Sequence, residues 1–168
     1  MKLRLYIKQK VFALADRYKI YDENQKLKYH MEGKIFSLRD KMLLYDNTNR
    51  FICRMQHRYF SFFNRYLDIF DARNHKIATL KKHALAWTPK LTLQVNGDDY
   101  YIRGGLFQFN FTISKNDRIV ATVSKKWLSW GDTYEMLLDD REDEAFLVSL
   151  VVGIDSLVHN DRYNRSGH

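Results

Sequence analysis

Cysteine, proline and glycine are scarce in this chain of 168 residues, which holds one Cys, one Pro and seven Gly. The single thiol, Cys53, forms no internal disulfide, and no Cys/His cluster has zinc spacing. Redox and structural-metal chemistry therefore drop out. His30, His57, His75, His83, His159 and His168 are scattered without metal spacing, and no serine stands in a nucleophile elbow. Gly104-Gly105 lacks the lysine and the strand-to-helix context of a phosphate-cradling loop. These absences point away from an enzyme, a metal and a cofactor. No apolar run reaches 18 residues, and Met1-Lys2-Leu3-Arg4-Leu5-Tyr6 alternates charged with apolar residues instead of building a signal-peptide core. The expectation is a soluble cytoplasmic protein.

What is present is a repeat. A short phrase recurs six times, at intervals of 21 to 25 residues: large apolar, small, large apolar, any residue, Asp or Asn, any residue, then Tyr or another apolar residue. The copies start at Phe12, Phe36, Phe60, Leu85, Leu106 (the most decayed) and Leu128. Such a period signals one structural unit used repeatedly.

Between the phrases the chain reads as hairpins. Tyr18 to Tyr21 and Leu27 to Met31 flank Asp22-Glu23-Asn24-Gln25. Met42 to Tyr45 and Phe51 to Met55 flank Asp46-Asn47-Thr48-Asn49, and Tyr66 to Phe70 and Ile77 to Leu80 flank Asp71-Ala72-Arg73-Asn74. Asp and Asn supply such turns because their side chains bond the backbone two residues on and tolerate positive φ. The pattern continues with Leu91 to Val95 and Tyr100 to Arg103 around Asn96-Gly97, the sharpest hairpin signal in the chain. It ends with Phe107 to Ile113 and Ile119 to Val123 around Lys115-Asn116-Asp117. With Leu3 to Lys8 and Thr133 to Leu138 the total is about twelve strands. Asp16, Asp40, Asn64 and Asp132 of the phrase are too far apart in sequence for a calcium loop and read as corner residues.

After Asp139-Asp140-Arg141-Glu142-Asp143-Glu144 the period changes. Residues 145 to 158 are apolar almost all round, too long for a strand here and too short to span a membrane, so the segment predicts a helix over about 144–159. A helix apolar on every face must be surrounded, with Phe146, Leu147, Leu150, Val151, Ile154 and Leu157 as its core residues. The acidic run suits its N-terminus. A closed antiparallel β-barrel of about twelve strands around this helix satisfies both parts of the sequence, as one domain over 1–160 with a polar tail over 161–168. Asp155 within that helix is expected to bond backbone or a Tyr or Arg of the wall, because a lone carboxylate in a core is costly.

Ile119 to Tyr134, including Lys125-Lys126-Trp127-Leu128-Ser129-Trp130-Gly131-Asp132, followed by the acidic run and Val151-Val152-Gly153-Ile154-Asp155, resembles the signature of the LURP-one-related family. Phe36-Ser37-Leu38-Arg39-Asp40 is similar to its N-terminal portion. The resemblance implies the tubby-like fold, a twelve-stranded barrel enclosing a C-terminal hydrophobic helix, which is also the fold of phospholipid scramblases. Tubby proteins bind phosphoinositides, but none of their lipid-binding positions is matched in this chain.

The formal net charge of +8 is unevenly placed. Residues 1–60 hold fourteen Lys/Arg against six Asp/Glu, residues 61–100 six against four, and residues 101–168 eight against ten. A basic region of this kind attracts anionic lipid, an acidic partner or nucleic acid. The candidate anion-binding residues are Arg54 and Arg58, Lys81 and Lys82, and Lys125 and Lys126, each pair just ahead of a phrase and so expected near one barrel rim. The sequence thus supports a non-catalytic module that takes anionic lipid head groups or a protein partner through a basic rim, peripheral at the membrane. The alternative is a nucleic-acid-binding or transcription-associated role, which the basic N-terminal half and the aromatics would serve.

Overall fold

The computed structural model describes residues 2–9, 16–33, 41–61, 64–83, 90–95, 97–126 and 133–165. Twelve strands precede one helix: β1 Lys2–Gln9, β2 Asp16–Asp22, β3 Leu27–Gly33, β4 Lys41–Asp46, β5 Phe51–Ser61, β6 Asn64–Asp71, β7 Lys76–His83, β8 Lys90–Val95, β9 Tyr100–Gly105, β10 Asn110–Lys115, β11 Arg118–Lys126, β12 Thr133–Asp139 and α1 Glu144–Arg165. Every ladder is antiparallel, and β1 joins β12, so the sheet wraps round from β8 through β1 and β12 to β9. This is the expected all-β barrel around a C-terminal helix.

The hairpin turns form as the sequence chemistry dictates. Asp22, Asp46 and Asp71 each end a strand and accept backbone N–H groups two and four residues on, at 2.8 to 3.0 Å. The residue three on from each, Gln25, Asn49 or Asn74, takes positive φ. Asn116 and Asp117 both have positive φ, as a two-residue turn between twisted strands requires.

Two differences from the sequence reading have local causes. The barrel is nearly closed, because β8 and β9, on either side of the Asn-Gly signal, do not pair with each other. Residues 98 and 99 bond across to the β10–β11 turn instead: Asn116 N–H donates to the Asp99 carbonyl at 2.8 Å, and the Asn116 side chain bonds Asp98 and the Asp99 N–H at 3.1 Å. The strand expected from Phe107 starts only at Asn110, since Leu106 to Phe109 turn. That turn, with Phe109 at φ 50°, buries the Phe109 ring completely and stacks it on Tyr134 at 4.3 Å between centroids.

The helix fills the barrel. Leu147, Leu150, Val151, Ile154 and Leu157 are buried, whereas Phe146 is half-buried, its ring edge-on to Tyr100. Asp143 caps the N-terminus, its carboxylate accepting the Phe146 N–H at 3.0 Å. The helix runs to Arg165, past the expected end near 159, because no glycine or proline interrupts residues 159–165. It leans on β5, β6 and β7 through Gly153, where an added Cβ would stand 2.5 Å from Leu67 Cδ2 and 3.1 Å from Leu80 Cδ1. The opposite side of the interior is filled by larger rings, Phe109, Phe111, Tyr18 and Tyr134. Among the described residues, no helix is long and apolar enough to cross a membrane.

Candidate functional site

Alternation along a strand decides where each candidate cation points. Arg54 and Arg58 are two steps apart from Gln56 on the outer face of β5, while Cys53, Met55 and His57 face inward and are buried. The register Arg58↔Tyr66↔Lys81 then lines these three residues up across β5, β6 and β7.

On this outer wall the cations lie against aromatic rings. The Arg54 guanidinium is 4.3 Å from the Phe70 ring centroid and donates to Gln56 Oε1 at 2.7 Å and Asn74 Oδ1 at 2.6 Å. Arg58 and Lys81 share the Tyr66 ring, at 5.3 and 5.6 Å. Arg58 also forms an ion pair through Nε and Nη2 with Asp68, whose buried carboxylate accepts the Thr79 hydroxyl at 2.6 Å. Among the described residues, neither Arg54 nor Lys81 has a carboxylate partner; neutral amides and rings surround them.

The other candidates lie elsewhere. Neighbouring residues of a strand face opposite ways, so Lys82 stands inside the barrel, 6% exposed, and donates to the Leu157 carbonyl of α1 at 3.0 Å. Lys125 is half-buried opposite the inward Tyr134. Lys126 is outside on β11, paired with Glu135 at 2.9 Å, and three strands (β8, β9 and β10) separate it from Lys81. Arg58 and Lys81 thus meet over one ring, Arg54 lies four residues along β5 on the same outer wall, and Lys82, Lys125 and Lys126 do not join them.

Asp155 is fully buried and accepts hydrogen bonds from the hydroxyls of Tyr18 and Tyr134, the latter at 3.0 Å. Wall tyrosines therefore hold it, as the cost of a buried carboxylate demands. Both are the closing residue of a copy of the recurring phrase, a coincidence of position that could have identified them beforehand. Asp68 was also missed. It is one of only two carboxylates between residues 51 and 95, a scarcity visible in the sequence. Asp40 and Asp132 lie outside the described residues, and Asp16 and Asn64 open β2 and β6. Burial pushes the Cys53 thiol up to about 12, so this cysteine is not a thiolate at neutral pH.

Residues 3–155 match the LURP-one-related family model. The chain belongs to the LURP-one-related family. It is similar to the uncharacterized protein YxjI of Bacillus subtilis (strain 168), at 27% identity over 159 residues that cover 95% of this chain and 96% of that protein. In fold it is similar to the X-ray structure of the Arabidopsis thaliana protein AT5G01750, with a TM-score of 0.66 and 20% identity over 93% of this chain and 91% of that one. The LURP-one-related assignment accounts for the barrel and its central helix and assigns no chemistry to the β5–β7 wall.

Proposed function

We propose that the protein is a non-catalytic binding module that docks on anionic lipid surfaces through the outer wall of β5, β6 and β7. The observation that carries this reading is the unbalanced charge of Arg54 and Lys81, held outward over Phe70 and Tyr66 with no carboxylate against either among the described residues. It is reinforced by the composition of residues 51–95, which hold eight Lys/Arg against two Asp. One of those aspartates is paired with Arg58, and the other, Asp71, closes its own turn.

Cations that a fold does not consume internally raise the local concentration of anions. Near an anionic leaflet each Lys or Arg contributes about 1 kcal/mol, so a few such residues give reversible, salt-sensitive docking. The tubby-like and scramblase-like kinship implied by the sequence resemblance points the same way. The protein would then work in the cytoplasm at the membrane periphery.

Sedimentation with vesicles tests the reading. The expected result is retention on phosphatidylserine-containing vesicles that falls as salt rises, with little retention on phosphatidylcholine alone. Equal recovery with both vesicle types would remove the lipid reading. Salt-sensitive retention by DNA in that case would favour nucleic acid, and retention by an acidic protein matrix would favour a protein partner.

A further inference from the structure

We infer that the lipid-facing surface continues past β7 and β8, across the unpaired seam, to β9 and the turn after it, where Arg103 meets head groups and Phe107 is an apolar anchor. This rests on the proposed docking through β5–β7 and adds to its charge a part that enters the bilayer.

The turn presents Phe107 by holding its neighbours. Leu106 and Phe109 are buried in the core and the Phe109 N–H donates to the Leu106 carbonyl at 3.3 Å, so Phe107 and Gln108 form the exposed tip. Gly104, at φ 125°, permits the tight approach of the two strands: an added Cβ would stand 2.5 Å from the Asn110 carbonyl oxygen. The Phe107 ring is 40% exposed and has no aromatic partner among the described residues. A polar residue would serve a turn tip as well, so folding does not account for this ring.

The charge around the turn selects the occupant. Strands β7, β8, β9 and β10 contain no Asp or Glu. The carboxylates that flank them in sequence, Asp71, Asp98, Asp99 and Asp117, lie in turns at the end where the helix begins. Connections of an antiparallel barrel alternate between its ends, so the Phe107 turn is at the opposite end. β8 and β9 lie side by side without pairing. Cations face outward on both flanks of this seam. Lys81 of β7 stands opposite Thr92 of β8, and Arg103 of β9 stands opposite Thr112 of β10. The Arg103 guanidinium is 6.0 Å from the exposed Tyr101 ring and has no carboxylate partner among the described residues. Outward cations, an absence of carboxylates and an aromatic tip match the interfacial zone of an anionic bilayer, where binding grows with buried apolar area plus attraction to charged lipid.

Ile119 supplies the contrast. It is 58% exposed, more than Phe107, but it sits at the other end beside Arg118, which is tied to Asp139 and Glu142. Exposure alone would make Ile119 the better anchor; surrounding charge makes it Phe107.

Phe107→Cys and Ile119→Cys, each labelled with an environment-sensitive fluorophore, test this, since Cys53 is buried and stays unlabelled. Labelled protein is mixed with phosphatidylcholine vesicles with and without phosphatidylserine, and the affinities of unlabelled Phe107→Ser, Arg103→Gln and Ile119→Ser are measured by sedimentation. The expected result is a blue shift at 107 and none at 119, on the phosphatidylserine vesicles. Phe107→Ser should weaken binding about tenfold, as expected for returning the exposed part of a phenyl ring to water. Arg103→Gln should weaken it about fivefold, as for one charge contact, and Ile119→Ser should leave it unchanged. Vesicle binding with an unshifted label at 107 and full affinity in Phe107→Ser would overturn the anchor and leave docking through β5–β7 standing. Binding lost in Phe107→Ser but kept in Arg54→Gln with Lys81→Gln would support the anchor and remove the β5–β7 reading. No binding to either vesicle would overturn both, and self-association lost in Phe107→Ser would then give the face to a second copy of the chain.

Discussion

The two sides of the barrel wall use charge in opposite ways. Residues 51–95, which build β5 to β8, hold eight Lys/Arg against two Asp/Glu; residues 96–144, which build β9 to β12 and the approach to the helix, hold six against ten. On the second side three of the cations are absorbed in ion pairs with neighbouring strands and turns, while Arg103 lies over the Tyr101 ring. Arg118 pairs with Asp139 and Glu142, Lys115 with Asp98 and Glu142, and Lys126 with Glu135. The pairs of Arg118 and Lys115 tie the turns before β9 and between β10 and β11 to the end of β12, where the helix begins, and Lys126 pairs at the other end of β12. On the first side Arg54 and Lys81 lie over rings and amides, with their charge left for something outside the fold. The interiors differ in the same sense: the helix touches β5–β7 at a glycine, while large rings span the gap toward β9–β12. One side of the wall is built for closeness and the other for bulk.

The largest expected effect comes from the element both sides share. Val151 is fully buried between them, and Val151→Asp would place an unpaired charge there, costing about 3–5 kcal/mol or more and abolishing cooperative folding. A soluble variant with an unchanged melting temperature would refute the enclosed helix. Phe109→Ala removes the ring stacked on Tyr134 and should cost about 3–5 kcal/mol in denaturant titration. Gly153→Leu tests the closer side. Its side chain collides with Leu67 and Leu80, and the expected loss is about 1–3 kcal/mol, against a negligible loss if the helix does not press on β5–β7.

The smallest effect is in acid. Hydrogen bonds from Thr48 and Arg50 hold the Asp46 carboxyl at about 2, and the backbone N–H and ring of His75 lower that of Asp71. A carboxyl whose folded pKa lies below its unfolded value, near 3.9, stabilises the fold at higher pH and loses that contribution as pH falls toward the folded pKa. Turn stability should therefore be flat from neutral pH to about 4 and decline between about 4 and 2. In Asp46→Asn that decline should be shallower, as read by unfolding midpoints at successive pH values.

Much of this was legible in the sequence, for physical reasons that particular residues show. Strands β2 to β7 were readable because their turns are closed by Asp side chains of fixed chemistry at Asp22, Asp46 and Asp71. The helix was readable because Leu147 to Val158 has no polar face. Asn96-Gly97 misled, since a hairpin turn signal describes only local backbone, and the side chain of Asn116, some 20 residues away, bonds the segment elsewhere. The candidate site was half legible. Reading Lys81-Lys82 as a pair overlooked the alternation of a strand, which sends Lys81 out and Lys82 in. That Arg58 meets Lys81 over Tyr66 depends on ladder register across three strands, which composition does not encode.

The most direct test of the unbalanced wall compares two double variants on phosphatidylserine vesicles at low salt: Arg54→Gln with Lys81→Gln, and Lys125→Gln with Lys126→Gln. Both remove two positive charges, so net charge alone would weaken them equally. The account predicts a loss of about tenfold to thirtyfold for the first, from about 1 kcal/mol per charge, and a much smaller loss for the second. Equal losses, or a larger loss for Lys125 and Lys126, would contradict it.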